Sequence, residues 1–138
     1  MERVFFDANV LFSAAYKADC ELRELWRLAD VELVSAEFIV DEARRNLAVK
    51  RPSALPDMHG LVQQVKLVAP QSDDLPLEIG LALPPEDMRA FRACVFGRCT
   101  VLLTGDRNHF QTLMENPSMG VRVALPGAYL RERRRQTR

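Results

Sequence analysis

Residues 1–16, MERVFFDANVLFSAAY, decide how the rest of the chain is read. Arg3–Phe6 is a short apolar run of the kind that forms a buried strand, and Ala8–Lys17 has helical spacing. Asp7 stands between them. A carboxylate set among Val4, Phe5, Phe6, Val10 and Leu11 is costly to bury unless something satisfies it. As the residue before a helix, Asp7 can act as its N-cap. As the residue after a strand, it can also belong to a site, and one carboxylate can do both.

The same rhythm continues along the chain. Val31–Val34, Lys66–Ala69, Thr100–Leu103 and Val121–Ala124 read as further buried strands. Cys20–Ala29, Ala36–Lys50, Leu55–Val65, Glu86–Gly97 and Asn108–Glu115 read as helices, and 71–83 as loop with one helical turn. Strands alternating with helices predict an α/β fold, a three-layer sandwich with a central, mostly parallel five-stranded sheet flanked by helices. Such sheets bind ligands beyond the carboxyl ends of their strands, near the point where strand order reverses. Asp7 and Thr104-Gly105-Asp106 occupy such positions.

A length of 138 residues suits one domain, 1–138, with a core of its own. Nineteen basic and nineteen acidic residues cancel, so attraction to a charged partner must be local. No apolar run reaches the roughly eighteen residues of a membrane span, and the N-terminus, with Glu2, does not read as a signal peptide. Cys20, Cys94 and Cys99 are odd in number and form no CxxC; with only His59 and His109 beside them they argue for reduced thiols in a cytoplasmic protein and against zinc. The basic tail 131–138, RERRRQTR, could grip phosphates or an acidic partner, or be a disordered solubilising end.

Two helices carry acids toward their apolar faces. At about 100° per residue from Phe38, Ile39, Ala43 and Leu47 fall at about 100°, 140° and 180°, with Glu42 at about 40° and Asn46 at about 80°. Asp41 falls on the polar side with Arg44 and Arg45. From Asp87, Phe91 lies at about 40° and Val95 at about 80°, so Asp87 is inside the apolar sector and Glu86 outside it. Each acid has a plain alternative. Glu42 can sit at a helix edge beside an arginine, Asp87 belongs to an ordinary Pro84-Pro85-Glu86-Asp87 helix start, and Asp106 can cap the helix that follows. Jointly, four converging carboxylates would repel unless a hard divalent cation compensated them, and such ions activate water for phosphodiester cleavage.

Phe6-Asp7-Ala8-Asn9-Val10-Leu11, the helix around Glu42, and Pro85-Glu86-Asp87…Leu103-Thr104-Gly105-Asp106…His109-Phe110 together resemble a PIN domain, in particular the PIN-type toxin ribonucleases of toxin–antitoxin pairs. The likeness runs from Val4 to about Ala124 and includes the nineteen-residue step from Asp87 to Asp106. Ala8, where the family usually has Thr or Ser, and Thr100, where an Asp is common, depart from it. The resemblance implies a Mg2+- or Mn2+-dependent endoribonuclease, with one or two ions held by Asp7, Glu42, Asp87 and Asp106. Asn9, Asn46 and Thr104 would support the site. It also implies RNA as substrate, single-stranded by preference, a small protein antitoxin, and a homodimer.

RNA contact would fall to Arg44, Arg45 and Arg107, with Arg89 and Arg92 nearby, unless these are solvated helix faces. His109 is a candidate acid or a surface residue. Leu25 and Trp26 lie on an apolar stretch suited to a core or an interface. The competing reading is a non-catalytic PIN-like module that binds RNA or protein.

Overall fold

Val4, Phe5 and Phe6 are all fully buried, which a strand with one wet face would not allow. In the computed structural model, which describes residues 1–70 and 83–136, they belong to β1 (Glu2–Phe6), the central strand of a sheet covered on both sides. β2 (Val31–Ala36), β3 (Lys66–Val68), β4 (Val101–Leu103) and β5 (Arg122–Ala124) complete it in the order β3-β2-β1-β4-β5, every pairing parallel. The α/β expectation therefore holds, with all five strands parallel among the described residues.

From β1 the chain builds outward to β3, then returns across β1 to build β4 and β5 on the other side. The order reverses between β1 and β4, where Phe6 lies opposite Leu103. Right-handed crossovers put α1 (Ala8–Tyr16), α2 (Glu37–Lys50) and α3 (Leu55–Val62) on one face, and α4 (Pro85–Phe96) and α5 (Arg107–Glu115) on the other. Every one of these crossovers leaves the carboxyl end of a strand, so α1, α2, α4 and α5 start at the same edge of the sheet.

Several boundaries differ from the sequence reading. The helix expected at Cys20–Ala29 is a 3-10 segment, Glu21–Arg27, whose Arg23 guanidinium caps the end of α1 by donating to the carbonyls of Ala14 (2.7 Å) and Ala15 (3.3 Å). Its Leu25 is buried, and Trp26 packs on Phe6 (5.6 Å between rings) while donating to the Leu61 carbonyl at 2.9 Å. These two residues serve the core. Helix α3 ends at Val62, three residues early, in turns closed by Gln63, Gln64 and Val65. The loop reading of 71–82 lies outside the described residues.

The tail is the largest correction. Through Gln136 it is part of α6 (Pro126–Gln136), which buries Tyr129 and Leu130. Its arginines face acids of the same chain: Arg133 pairs with Asp30, and Arg134 with Glu21 (3.1 Å) and Glu24 (2.8 Å). Tyr129 hydrogen-bonds Glu2 of β1. The described part of this tail is thus a docked helix. No helix among the described residues is long and apolar enough to cross a membrane.

If Phe6 anchors the sheet against Trp26, Phe6→Ala will cost about 3–5 kcal/mol in urea denaturation. Val49→Ala, at a position 84% exposed, will stay within about 0.5 kcal/mol of the parent. Equal effects of the two would contradict this core.

Candidate functional site

The site is built outward from the β1–β4 pair. The Asp7 N–H continues the ladder by donating to the Leu103 carbonyl at 2.9 Å, so Asp7 and Thr104 emerge side by side at the strand ends. Asp7 caps α1: its Oδ1 accepts from the Ala8 N–H at 2.8 Å. Its Oδ2 accepts from the fully buried Thr104 hydroxyl at 3.1 Å. The same Thr104 oxygen accepts from the Asp106 N–H at 3.1 Å and lies 3.4 Å from the Asn9 amide nitrogen. Asn9 Oδ1 accepts from the Gly105 N–H at 2.8 Å. A Cβ on Gly105 would stand 3.2 Å from that oxygen, so glycine permits the close approach. Asn9 and Thr104, expected as supporting residues, tie the β1 end to the β4 end.

Asp106 caps α5 through Oδ1, which accepts from the His109 N–H at 3.1 Å. The His109 ring returns over the same carboxylate. Its Nδ1 lies 2.6 Å from Asp106 Oδ2 and 2.7 Å from Asp87 Oδ2, the latter carried by the first turn of α4. Asp87, Asp106 and His109 each offer a ligand atom, all within 4.8 Å of one another. The cap readings of Asp7 and Asp106 are therefore correct, and the second oxygen of each has a further partner, the Thr104 hydroxyl for Asp7 and the His109 ring for Asp106.

That cleft, about 960 Å³, is lined by Asp7, Glu42, Asp87 and Asp106 together. Glu42 reaches it from α2, at the rim of the buried stripe and not within it. Val40 is buried along with Ile39, Ala43 and Leu47, and this swings the stripe away from Glu42. Asn46 is exposed at the cleft wall and makes no hydrogen bond to the acids. Of the arginines expected to contact RNA, Arg45 lines the cleft, Arg44 turns to Asp41, and Arg107 is exposed outside it. Arg89 lies 4.0 Å over the Phe38 ring at the cleft wall, while Arg92 is buried beside a neighbouring hollow.

Among the acids lining the cleft Glu86 escaped the sequence reading, and His109 was expected only as a candidate acid or a surface residue. Glu86 was placed off the apolar sector, yet it faces the cleft because the first turn of α4 opens onto it. Periodicity sorts faces along a helix but not around its end. For His109 the available signal was its position three residues after Asp106, one helical turn on.

The electrostatics reflect burial first and the crowding of like charge second. Burial pushes the Asp7 carboxyl above its ordinary value; hydrogen bonds from Ala8 and Thr104 oppose this, and the charges of Asp106 and Glu86 add to it. Burial likewise raises Glu42, reinforced by Asp7 and Glu86. It also raises Asp87, where His109 pulls downward and Asp7 and Asp106 push up. The N-termini of α1, α4 and α5 supply partial positive charge that offsets some of this repulsion. Hard oxygen donors with uncompensated charge are a donor set that suits a divalent cation.

No protein-family model matches the chain, and no curated protein does.

The three raised carboxyls make stability depend on pH in a defined direction. Between the ordinary value (3.8 for Asp7) and the raised one, the folded chain binds more protons than the unfolded chain. Metal-free protein should therefore gain stability as pH falls into that window and lose it as pH rises through the folded values. Asp7→Asn keeps a cap acceptor and removes the charge, so at neutral pH the metal-free variant should resist urea better than the parent. A variant less stable than the parent would contradict the repulsion.

Proposed function

We propose that the chain is a metal-dependent endoribonuclease that hydrolyses RNA phosphodiester bonds at this cleft, with Mg2+ or Mn2+ as cofactor. The observation that carries the reading is the convergence of Asp7, Glu42, Glu86, Asp87 and Asp106 on one cleft at the carboxyl ends of the strands. Burial, and after it neighbouring acids, hold the carboxyls of Asp7, Glu42 and Asp87 above their ordinary values. Spending stability in this way fits a site kept for chemistry.

Asp7, Asp87 and Asp106 would hold the cation; Thr104 and the first turn of α1 orient the Asp7 carboxylate, and the first turn of α5 orients that of Asp106. A bound divalent ion would supply charge to offset the phosphate and acidify a water. Glu42, partly exposed in the cleft, would be suited to accept a proton from an attacking water on its carboxylate. Arg45, Lys50 and Arg89 line the same cleft and can receive phosphates on either side of the scissile bond. Phe12 and Phe38 line it too, with Lys50 and Arg89 over their rings; the preference for single-stranded RNA rests on the resemblance. The resemblance to PIN-type toxins adds the role of toxin, a small protein antitoxin, a homodimer and a cytoplasmic setting.

Purified protein incubated with single-stranded RNA should cut it with Mg2+ or Mn2+ and not with EDTA. Asp7→Asn should lower the rate by more than about 100-fold, beyond the roughly 10–100-fold typical of residues that only support metal ligands. Undiminished cleavage by that variant would refute the assignment, and a folded protein that binds RNA without cutting it would favour a binding module.

A further inference from the structure

His109 stands in an unusual relation to the two acids beside it. Its single Nδ1 is within hydrogen-bond distance of carboxylate oxygens from two different helices, Asp87 at 2.7 Å and Asp106 at 2.6 Å. One ring nitrogen carries at most one hydrogen, so it cannot serve both carboxylates with separate bonds. Three possible ligand atoms, one nitrogen and two oxygens, are thus gathered in one place.

Their spacing suits a single ion. With metal–ligand bonds of about 2.1 Å, neighbouring ligand atoms lie about 3 Å apart and opposite ones about 4.2 Å. The three atoms here fall within 4.8 Å of one another, and the Nδ1 contacts need to open by only a few tenths of an ångström. The ring is held for this purpose by its own backbone, because the His109 N–H donates to Asp106 Oδ1 while the side chain reaches Oδ2. Half of the side chain remains exposed, which leaves the ring free to make that adjustment.

We infer that His109 is a direct ligand of the cation, through Nδ1, and that the site takes a transition ion such as Mn2+ in preference to Mg2+. The inference rests on the metal-dependent reading of the cleft and goes beyond it, since an all-carboxylate set would show no such bias. Imidazole nitrogen favours the transition ions, whereas Mg2+ is held by oxygen donors and water. The cation thereby bridges α4 and α5 through Asp87, Asp106 and His109.

Pulsed EPR of the full chain loaded with Mn2+ alone tests this directly, because a coordinated imidazole imprints nitrogen-14 modulation on the manganese signal. The other histidine, His59, is on α3, outside the cleft. Wild-type protein should show the modulation and His109→Gln should lose it. The same variant should bind Mn2+ about 10-fold more weakly or worse, with Mg2+ affinity changed less than about 3-fold. The variant's circular dichroism should match the parent's, as befits an exposed position. Bound Mn2+ without nitrogen modulation, or modulation that survives His109→Gln, would overturn the role of His109 while leaving the nuclease reading in place. Failure of the wild-type chain to bind Mn2+ at all would overturn both.

Discussion

The parallel pairing of β1 with β4 is the constraint on which the candidate site depends. It sets Phe6 opposite Leu103 and carries the Asp7 N–H onto the Leu103 carbonyl, so the ladder ends with Asp7 and Thr104 adjacent. From that point a single hydroxyl serves both Asp7 and Asp106, and the Asn9 amide clasps the Gly105 backbone. A slip of one residue would turn Thr104 to the other face and strand the Asp7 carboxylate. Because Val4–Phe6 and Val101–Leu103 are apolar and buried throughout, alternation of polarity does not distinguish this register; the ties of Thr104 to Asp7 and Asp106 and of Asn9 to Gly105 are made only in it.

The pairing also joins strands that are far apart in sequence, so Asp7 and Asp106 meet at a cleft to which α2 adds Glu42 and α4 adds Glu86 and Asp87. Helices that leave the carboxyl ends of parallel strands present their N-termini there, and capping chemistry favours carboxylates at those ends. Asp7 and Asp106 show how one group can be both a cap and a site residue. Capping stabilises the helix through one oxygen, while both residues still line the cleft. Burial and the accumulated charge together raise the affinities of Asp7, Glu42 and Asp87 for protons. Within the proposed nuclease, that excess is what a cation would neutralise.

Much of this was legible in the sequence because the signals were local. Short apolar runs marked all five strands, and Asp7 and Asp106 announced themselves by following two of them. The relative order of the strands was not local information, so the meeting of Asp7 with Thr104 could be expected but not placed. Glu42 was read as lying within the apolar stripe because the wheel left out Val40, whose burial moves the stripe toward the sheet. Glu86 was lost because angular position is uninformative in a first turn. Helix α6 was hidden by Pro126-Gly127 at its start and by arginines whose partners, Asp30, Glu21 and Glu24, are remote in the chain. Those arginines stabilise a docked helix, a use that charge patterning alone cannot distinguish from a grip on phosphate.

The central claim is that the carboxylates around Asp7 are a cation site, and anomalous diffraction tests it most directly. Crystals soaked in Mn2+ and measured above the manganese absorption edge should show a strong anomalous peak in the cleft, within bonding distance of carboxylate oxygens of Asp7, Asp87 or Asp106. A soaked crystal with an empty cleft, or with peaks only at the exposed acids elsewhere on the surface, would contradict the account.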